Sequence, residues 1–187
     1  MADEKVAAVA AGPEVEKPRQ ATSEAGQYPD PRSLEAVMRH RRDHGQKHLL
    51  RFLSTISRED FIRPLECLTG GSIRDRLVHM VDAEGFWMSV LQQRVHDPLS
   101  PAGFSDLDSI IPIMQEASDR TLNVLHTVDA DWFVRQSLFA HPHRKEPLRL
   151  VPSLVVLHIL THEYHHKGQI CLAARALGYT PPDLDFI

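Results

Sequence analysis

The amino-acid sequence predicts an all-α protein built as a four-helix bundle. Four stretches carry apolar side chains three or four residues apart, which is the spacing of one face of a helix. Capping residues, prolines or glycines bound each stretch, and helices of about 20 residues joined in this way pack as a bundle. With 187 residues and 42% hydrophobic side chains, the chain is expected to form one globular domain.

The first helix is expected to begin at Ser33, whose hydroxyl can cap it, and to run to about Ile56. Its apolar face includes Leu34, Met38 and Leu49. The basic cluster at 39–42 is interpreted as the solvated side of this helix. A second helix should begin after Ser72, which forms a capping box with Asp75, and end near 96–98.

The third helix is expected over roughly 106–127, with Pro112 either in its first turns or kinking it. Residues 129–151 contain scattered prolines and charges, which predict an irregular or short extended connection. The fourth helix should begin around Pro152, because proline is tolerated in a first turn. Gly178 stands in the usual terminating position, so this helix should end at Leu177.

Charge, hydropathy and cysteine content exclude several classes of function. The net charge of −4 argues against a nucleic-acid-binding surface, and no apolar run approaches the roughly 20 residues of a membrane helix. Two distant cysteines do not form a secreted disulfide framework, which favours a cytoplasmic location. Residues 1–30 are predicted to be a disordered tail, because they cannot bury enough apolar surface, and residues 31–187 form the domain.

A histidine cluster on the fourth helix indicates chemistry. Four of the twelve histidines lie between 158 and 166. At helical spacing His158, His162, His166 and Gln169 form one stripe with apolar neighbours on both sides. Neutral imidazole is the commonest metal ligand, and side chains four apart on a helix can bind one ion together. The sequence therefore predicts a divalent-metal site.

Residues 162–166 also match the H-E-x-x-H signature of zinc peptidases, in which Glu163 would be the general base. Such peptidases usually take a third ligand downstream, and the 21 residues after His166 contain neither His nor Glu. An all-helical chain also offers no strand edge for a peptide substrate. A peptidase is therefore not expected.

The third ligand should come from upstream, and His79 is the best candidate. It lies in the second helix, which could pack antiparallel to the fourth. A rival stripe of His40, His44 and His48 has cationic neighbours that would repel a metal ion. Two further histidines, at 141 and 143, belong to a surface loop that could cover a site. Glu84 falls in the apolar arc of the second helix and should either orient a ligand histidine or pair with an arginine.

Three segments resemble the DinB/YfiT-like family of metal-binding four-helix bundles. The second-helix stretch 72–87, which contains His79, is similar to the region of that family's first ligand. The stretch 161–170 is similar to the region of its second and third ligands, with the Lys-Gly-Gln that follows. The ending at 177–185 is similar to the usual close of the domain, so the likeness covers roughly 33–187.

The resemblance implies a bundle of the DinB-like type, often a homodimer, with one divalent ion held by His79, His162 and His166. Zinc, nickel or iron would suit three imidazoles. Some relatives transfer low-molecular-weight thiols such as bacillithiol or mycothiol, so the first hypothesis is a metal-dependent thiol S-transferase acting on a small molecule. The alternatives are a hydrolase that uses metal-bound hydroxide, with Glu163 as base, and a non-catalytic stress-response dimer that binds metal or ligand. No catalytic residue is assigned.

Overall fold

A computed structural model describes residues 28–184, and these residues form a four-helix bundle as predicted. The first long helix is continuous but has three parts, and the other three are uninterrupted α-helices. The helices of the bundle are α1 (Pro31–His40), a π-helical segment (Arg41–Gln46), α2 (Lys47–Leu53), α4 (Ile73–Leu91), α5 (Leu107–Thr127) and α7 (Pro152–Ala176). The smaller elements are α3 (Arg58–Ile62), α6 (Ala130–Val134), β1 (Ser137–Phe139) and β2 (Leu148–Leu150).

The first helix differs from its prediction in its cap and its interior. Asp30, not Ser33, caps α1, and its carboxylate accepts hydrogen bonds from the backbone N–H groups of Arg32 and Ser33. Between Arg41 and Gln46 the helix widens into a π-helical segment. Because this segment adds a residue to the turn, Arg41 and Gln46 both face the bundle interior although they are five residues apart.

The remaining helix ends follow their local signals. Ser72 and Asp75 form the predicted capping box at the start of α4. This helix ends at Leu91, earlier than predicted, and Gln93 turns the chain with a φ of 52°. Pro112 lies inside α5 without ending it. Gly178, with a φ of 90°, follows the last helix as predicted.

The connection between α5 and α7 is more regular than predicted. It contains the short helix α6 and an antiparallel hairpin in which Ser137 pairs with Leu150 and Phe139 pairs with Leu148. The prediction of a short extended segment is confirmed for the two strands, whereas α6 was not predicted. The loop of this hairpin carries the histidines at 141 and 143.

The four long helices form a square. α4 packs against α5 and α7, and α1 packs against the same two helices, so α1 and α4 lie on a diagonal. Two apolar clusters fill the interior. The first includes Leu49, Ile73, Ile110 and Ile170, and the second includes Leu34, Met88, Leu122 and Val156.

A polar layer separates the two apolar clusters. Along each long helix, the residues of this layer lie between those that pack in the first cluster and those that pack in the second. All its members are buried. They are Arg41, Gln46, Glu84, Ser118, Thr121, Glu163 and Lys167.

None of the helices within residues 28–184 is long and apolar enough to cross a membrane. The predicted tail lies, except for residues 28–30, outside the described residues. The domain boundary at residue 30 therefore stays a prediction.

Candidate metal centre

Packing between α4 and α7 brings three predicted residues together. His79 of α4 lies beside His162 and His166 of α7, and the nitrogen ligand atoms of the three imidazoles all lie within 4.8 Å of one another. His166 is buried, His162 is half-buried and His79 is exposed. The cluster of three histidines therefore faces solvent on the side of His79. Within residues 28–184, no other group of three His, Cys, Asp or Glu side chains is arranged to hold an ion.

Gln169 orients the His166 ring. The Nδ1 atom of His166 lies 2.7 Å from Oε1 of Gln169, one turn further along α7, and donates a hydrogen bond to it. This bond leaves the lone pair of His166 Nε2 directed towards His162, whose Nε2 atom is 3.1 Å away. A hydrogen bond that fixes the tautomer and orientation of a histidine is the usual support of a metal ligand.

The three imidazoles are neutral at neutral pH. Partial burial, together with the neighbouring histidines, lowers the pKa of His162 to about 4. Loss of solvent around the ring is also the main cause of the lowered pKa of His79 and of His166. A neutral imidazole keeps the lone pair that a metal needs, so the site is ready for an ion without first losing protons.

These lowered pKa values predict a pH dependence of stability in the metal-free protein. The pKa of His162 is about 4 in the folded chain and 6.5 ordinarily, so between these values the unfolded chain binds the extra proton. Stability should therefore fall as the pH drops from 6.5 towards 4. Urea unfolding across this range, compared between the wild type and His162→Gln, measures the effect. The variant should show the shallower pH slope, and equal slopes would contradict the prediction.

The other histidines lie outside this group. His158 is exposed one turn before His162, and its ring contacts Trp87 with centroids 5.4 Å apart. The exposed rings of His40 and His44 lie 4.6 Å apart, but neither these two nor His48 joins a group of three potential metal ligands.

The H-E-x-x-H motif is divided between two faces of α7. Glu163 is buried on the interior side, where its Oε1 atom lies 2.7 Å from Nζ of Lys167 and its Oε2 atom accepts a hydrogen bond from Gln46 at 3.0 Å. Burial alone would raise the pKa of Glu163, but the charges of Arg41 and Lys167 hold it below its ordinary value. Both carboxylate oxygens are thus occupied in the polar layer, and Glu163 does not have the position of a general base.

Arg41 connects the polar layer across the bundle. Its Nη2 atom donates to both carboxylate oxygens of Glu84 at 2.9 Å and to Ser118 at 2.9 Å. Its Nη1 atom lies 3.4 Å from Glu163. Of the two expectations for Glu84, pairing with an arginine is confirmed. The interpretation of residues 39–42 as a solvated side was wrong for Arg41, which is 1% exposed.

Sequence reasoning missed Arg41, Gln46 and Lys167, although one signal was present. Arg41 continues the apolar spacing of Leu34 and Met38, so a buried position could have been predicted. Gln46 falls out of that spacing because the π-helical segment shifts it. Gly45, in the same segment, has no side chain, and a Cβ there would lie 3.0 Å from Nζ of Lys167. The absent side chain leaves room for the buried lysine.

The sequence profile of the DinB family matches residues 16–187, which is most of the chain. The chain belongs to the DinB family. An uncharacterized relative, YizA from Bacillus subtilis (strain 168), is 25% identical over 111 residues, which cover 59% of this DinB-family chain and 68% of YizA. The resemblance predicted from the histidine-containing segments is therefore confirmed at the level of the family.

Two solved structures share the DinB fold. A DinB-like protein from Bacillus cereus ATCC 10987 superposes with a TM-score of 0.60 at 14% identity, covering 78% of this chain and 94% of its own. YfiT from Bacillus subtilis superposes with a TM-score of 0.55 at 18% identity, covering 88% and 94% respectively. YfiT is described as a probable metal-dependent hydrolase with an unusual four-helix bundle topology.

Proposed function

We propose that this DinB-family protein binds one divalent metal ion through His79, His162 and His166 and uses it to activate a low-molecular-weight thiol. The donor set fits such an ion. Zinc–nitrogen bonds of about 2.0–2.1 Å place two ligand nitrogens about 3.3 Å apart, and the Nε2 atoms of His162 and His166 are already separated by 3.1 Å. The ligand nitrogens of all three imidazoles lie within 4.8 Å of one another, so the third imidazole would need only a small inward movement to join the other two on one ion.

Three ligands with one side towards solvent favour a reactive ion over a structural one, because structural zinc sites are closed by four protein ligands. A bound metal of this kind supplies Lewis acidity, which stabilises a thiolate or a hydroxide at neutral pH. The protein would contribute three neutral nitrogens, of which that of His166 is oriented by Gln169. The exposed His79 side leaves an approach for a small molecule.

The engagement of Glu163 in the polar layer is the observation that favours thiol transfer. Hydrolysis is assisted by a protein base that takes a proton from water, and the glutamate of the motif points into the bundle instead. A thiol held as thiolate is itself the nucleophile and needs no such base. The second candidate remains a metal-dependent hydrolase, because the structural neighbour YfiT is described as a probable one.

A direct assay compares the two reactions. Metal-loaded protein is expected to conjugate cysteine, bacillithiol or mycothiol with monochlorobimane, releasing chloride, and the rate should fall to the uncatalysed level after chelation. The matched control is hydrolysis of p-nitrophenyl acetate without thiol. Hydrolysis alone would establish the hydrolase, and the absence of both activities in metal-loaded protein would favour the non-catalytic metal- or ligand-binding protein.

We also propose that the protein is a homodimer, because of the resemblance to the DinB/YfiT-like family. A cytoplasmic location is proposed because the two cysteines are unpaired. Cys67 is exposed and Cys171 is buried, and neither forms a disulfide.

A further inference from the structure

A cleft of about 340 Å³ lies beside the C-terminal half of α4. Its walls come from α4, from the segment that turns back after Gln93, and from the hairpin loop. The lining side chains include Phe86, Val90, Val95, His96, Ala140 and His141. The volume falls within the range of about 300–1,000 Å³ that is usual for small-molecule sites.

Three histidine rings already pack against Phe86, one of the side chains that line this cleft. The ring of Phe86 meets His96 and His141 edge-on, with centroids 5.7 and 5.4 Å apart. His143 stacks nearly parallel to it, with centroids 6.1 Å apart and a 10° angle between the planes. Val95 leaves 89% of its surface in water at the rim, where a bound apolar group would cover it.

The wall formed by His96 is held in place. Its Nε2 atom lies 2.8 Å from a carboxylate oxygen of Asp82, and the same oxygen accepts the backbone N–H of Leu99 at 2.8 Å. Gly85 lets the ring lie directly on α4, because a Cβ at that position would be 3.3 Å from the Cε1 atom of His96. A wall fixed in advance lowers the entropic cost of binding.

The cleft also has a cationic rim. Arg94 lines it and is exposed, and among residues 28–184 its guanidinium makes no ion pair with a carboxylate. An arginine in this position is suited to a planar anionic group such as a carboxylate.

Ring contacts lead from the cleft to the three histidines. Phe86 contacts Trp87 with centroids 5.3 Å apart, Trp87 contacts His158 at 5.4 Å, and His158 contacts His162 at 5.6 Å. Phe86 also follows His79 by seven residues, or two helical turns of α4, which is about 10 Å. A molecule against Phe86 would therefore lie about 10 Å from His79 along α4.

We infer that this cleft binds a small molecule that carries an aromatic ring and a negatively charged group, with the ring against Phe86 and the anion at Arg94. As the substrate pocket it rests on the proposed function, because the thiol or water would act on this molecule. The binding itself depends only on the cleft, whose lining contains none of the three histidines.

A titration of the ¹⁵N-labelled protein with 2-naphthoate, followed by amide chemical shifts, tests the inference. Saturable shifts are expected in residues 86–96, 140, 141 and 143. Ala140→Trp, which fills the cleft from an exposed position, should weaken binding about tenfold or more, which corresponds to about 1.4 kcal/mol. Ala102→Trp places the same side chain on an exposed alanine outside the cleft and should change binding less than about twofold.

Two analogues of 2-naphthoate and three further forms of the protein distinguish the possible outcomes. The neutral 2-naphthylmethanol and the saturated decalin-2-carboxylate should both bind about tenfold more weakly, and Arg94→Gln should remove the preference for the anion. Equal binding of all three compounds, or no saturable shift in the cleft, would overturn the inference. The titration is repeated on metal-free protein and on His79→Ala. Binding retained there supports the cleft even if the metal-dependent reaction is absent.

Discussion

Replacing His162 with alanine is expected to remove the bound metal from the protein, from about one ion per chain to nearly none. Three neutral imidazoles supply all the protein ligands of the proposed site, so losing one leaves two ligands for an ion that faces solvent. His79→Ala should have the same effect, because no further His, Cys, Asp or Glu within residues 28–184 joins this group. Elemental analysis of protein purified without a His tag or chelating resin gives the measurement.

Two variants make this experiment specific. His158→Ala removes an exposed imidazole one turn from His162 and should leave the metal content unchanged. Gln169→Leu removes the acceptor of the His166 hydrogen bond and should weaken metal affinity about 10- to 100-fold while the ion still binds at saturating concentration. Metal retained in His79→Ala, or absent from the wild type after reloading, would refute the three-histidine site.

Replacing Arg41 with methionine is expected to lower the free energy of unfolding by about 3–5 kcal/mol, the usual cost of leaving a buried charge uncompensated. Arg41 is 1% exposed, and its guanidinium lies between Glu84 and Glu163 at the centre of the bundle. Methionine fills much of the same space but leaves both carboxylates without their shared cation. Urea unfolding followed by circular dichroism measures the change.

The neighbouring arginine is a matched control. Arg42 pairs with Asp43 and with Asp119 near the surface, so Arg42→Met should cost less than about 1 kcal/mol. Adding Glu84→Gln to Arg41→Met should cost less than the sum of the two single changes, because the second removes a charge that the first left unpaired. A loss below about 1 kcal/mol for Arg41→Met would show that the polar layer does not depend on this cation.

Much of the fold could be predicted because its signals are local. The capping box at Ser72, the glycine after α7 and the spacing of apolar side chains each act within a few residues. The cap of α1 was misplaced by three residues because Asp30 and Ser33 are both good caps, and the following Pro31 favours Asp30. The π-helical segment could not be predicted, because it depends on which side chains the other three helices present.

The candidate site could also be predicted in part from the sequence. The spacing of His162 and His166 places both on one face of a helix, whereas the choice of His79 required an assumption about which helices pack together. The structure brings the three together, and their role as metal ligands stays a prediction. Linear spacing could not show the separation of Glu163 from the histidines, because that depends on Arg41 and Lys167.

The polar layer also has a consequence for how this protein can change. Because the polar layer divides the interior, each apolar cluster packs as a module of its own, and the two modules meet at the polar layer. The cleft borders only the second module, through Phe86 and Val90. Side chains of the proposed ligand cleft can therefore change while the packing of the first module and the position of the histidines are preserved. If the cleft and the histidines act as proposed, ligand specificity and the metal centre would vary independently within one small domain.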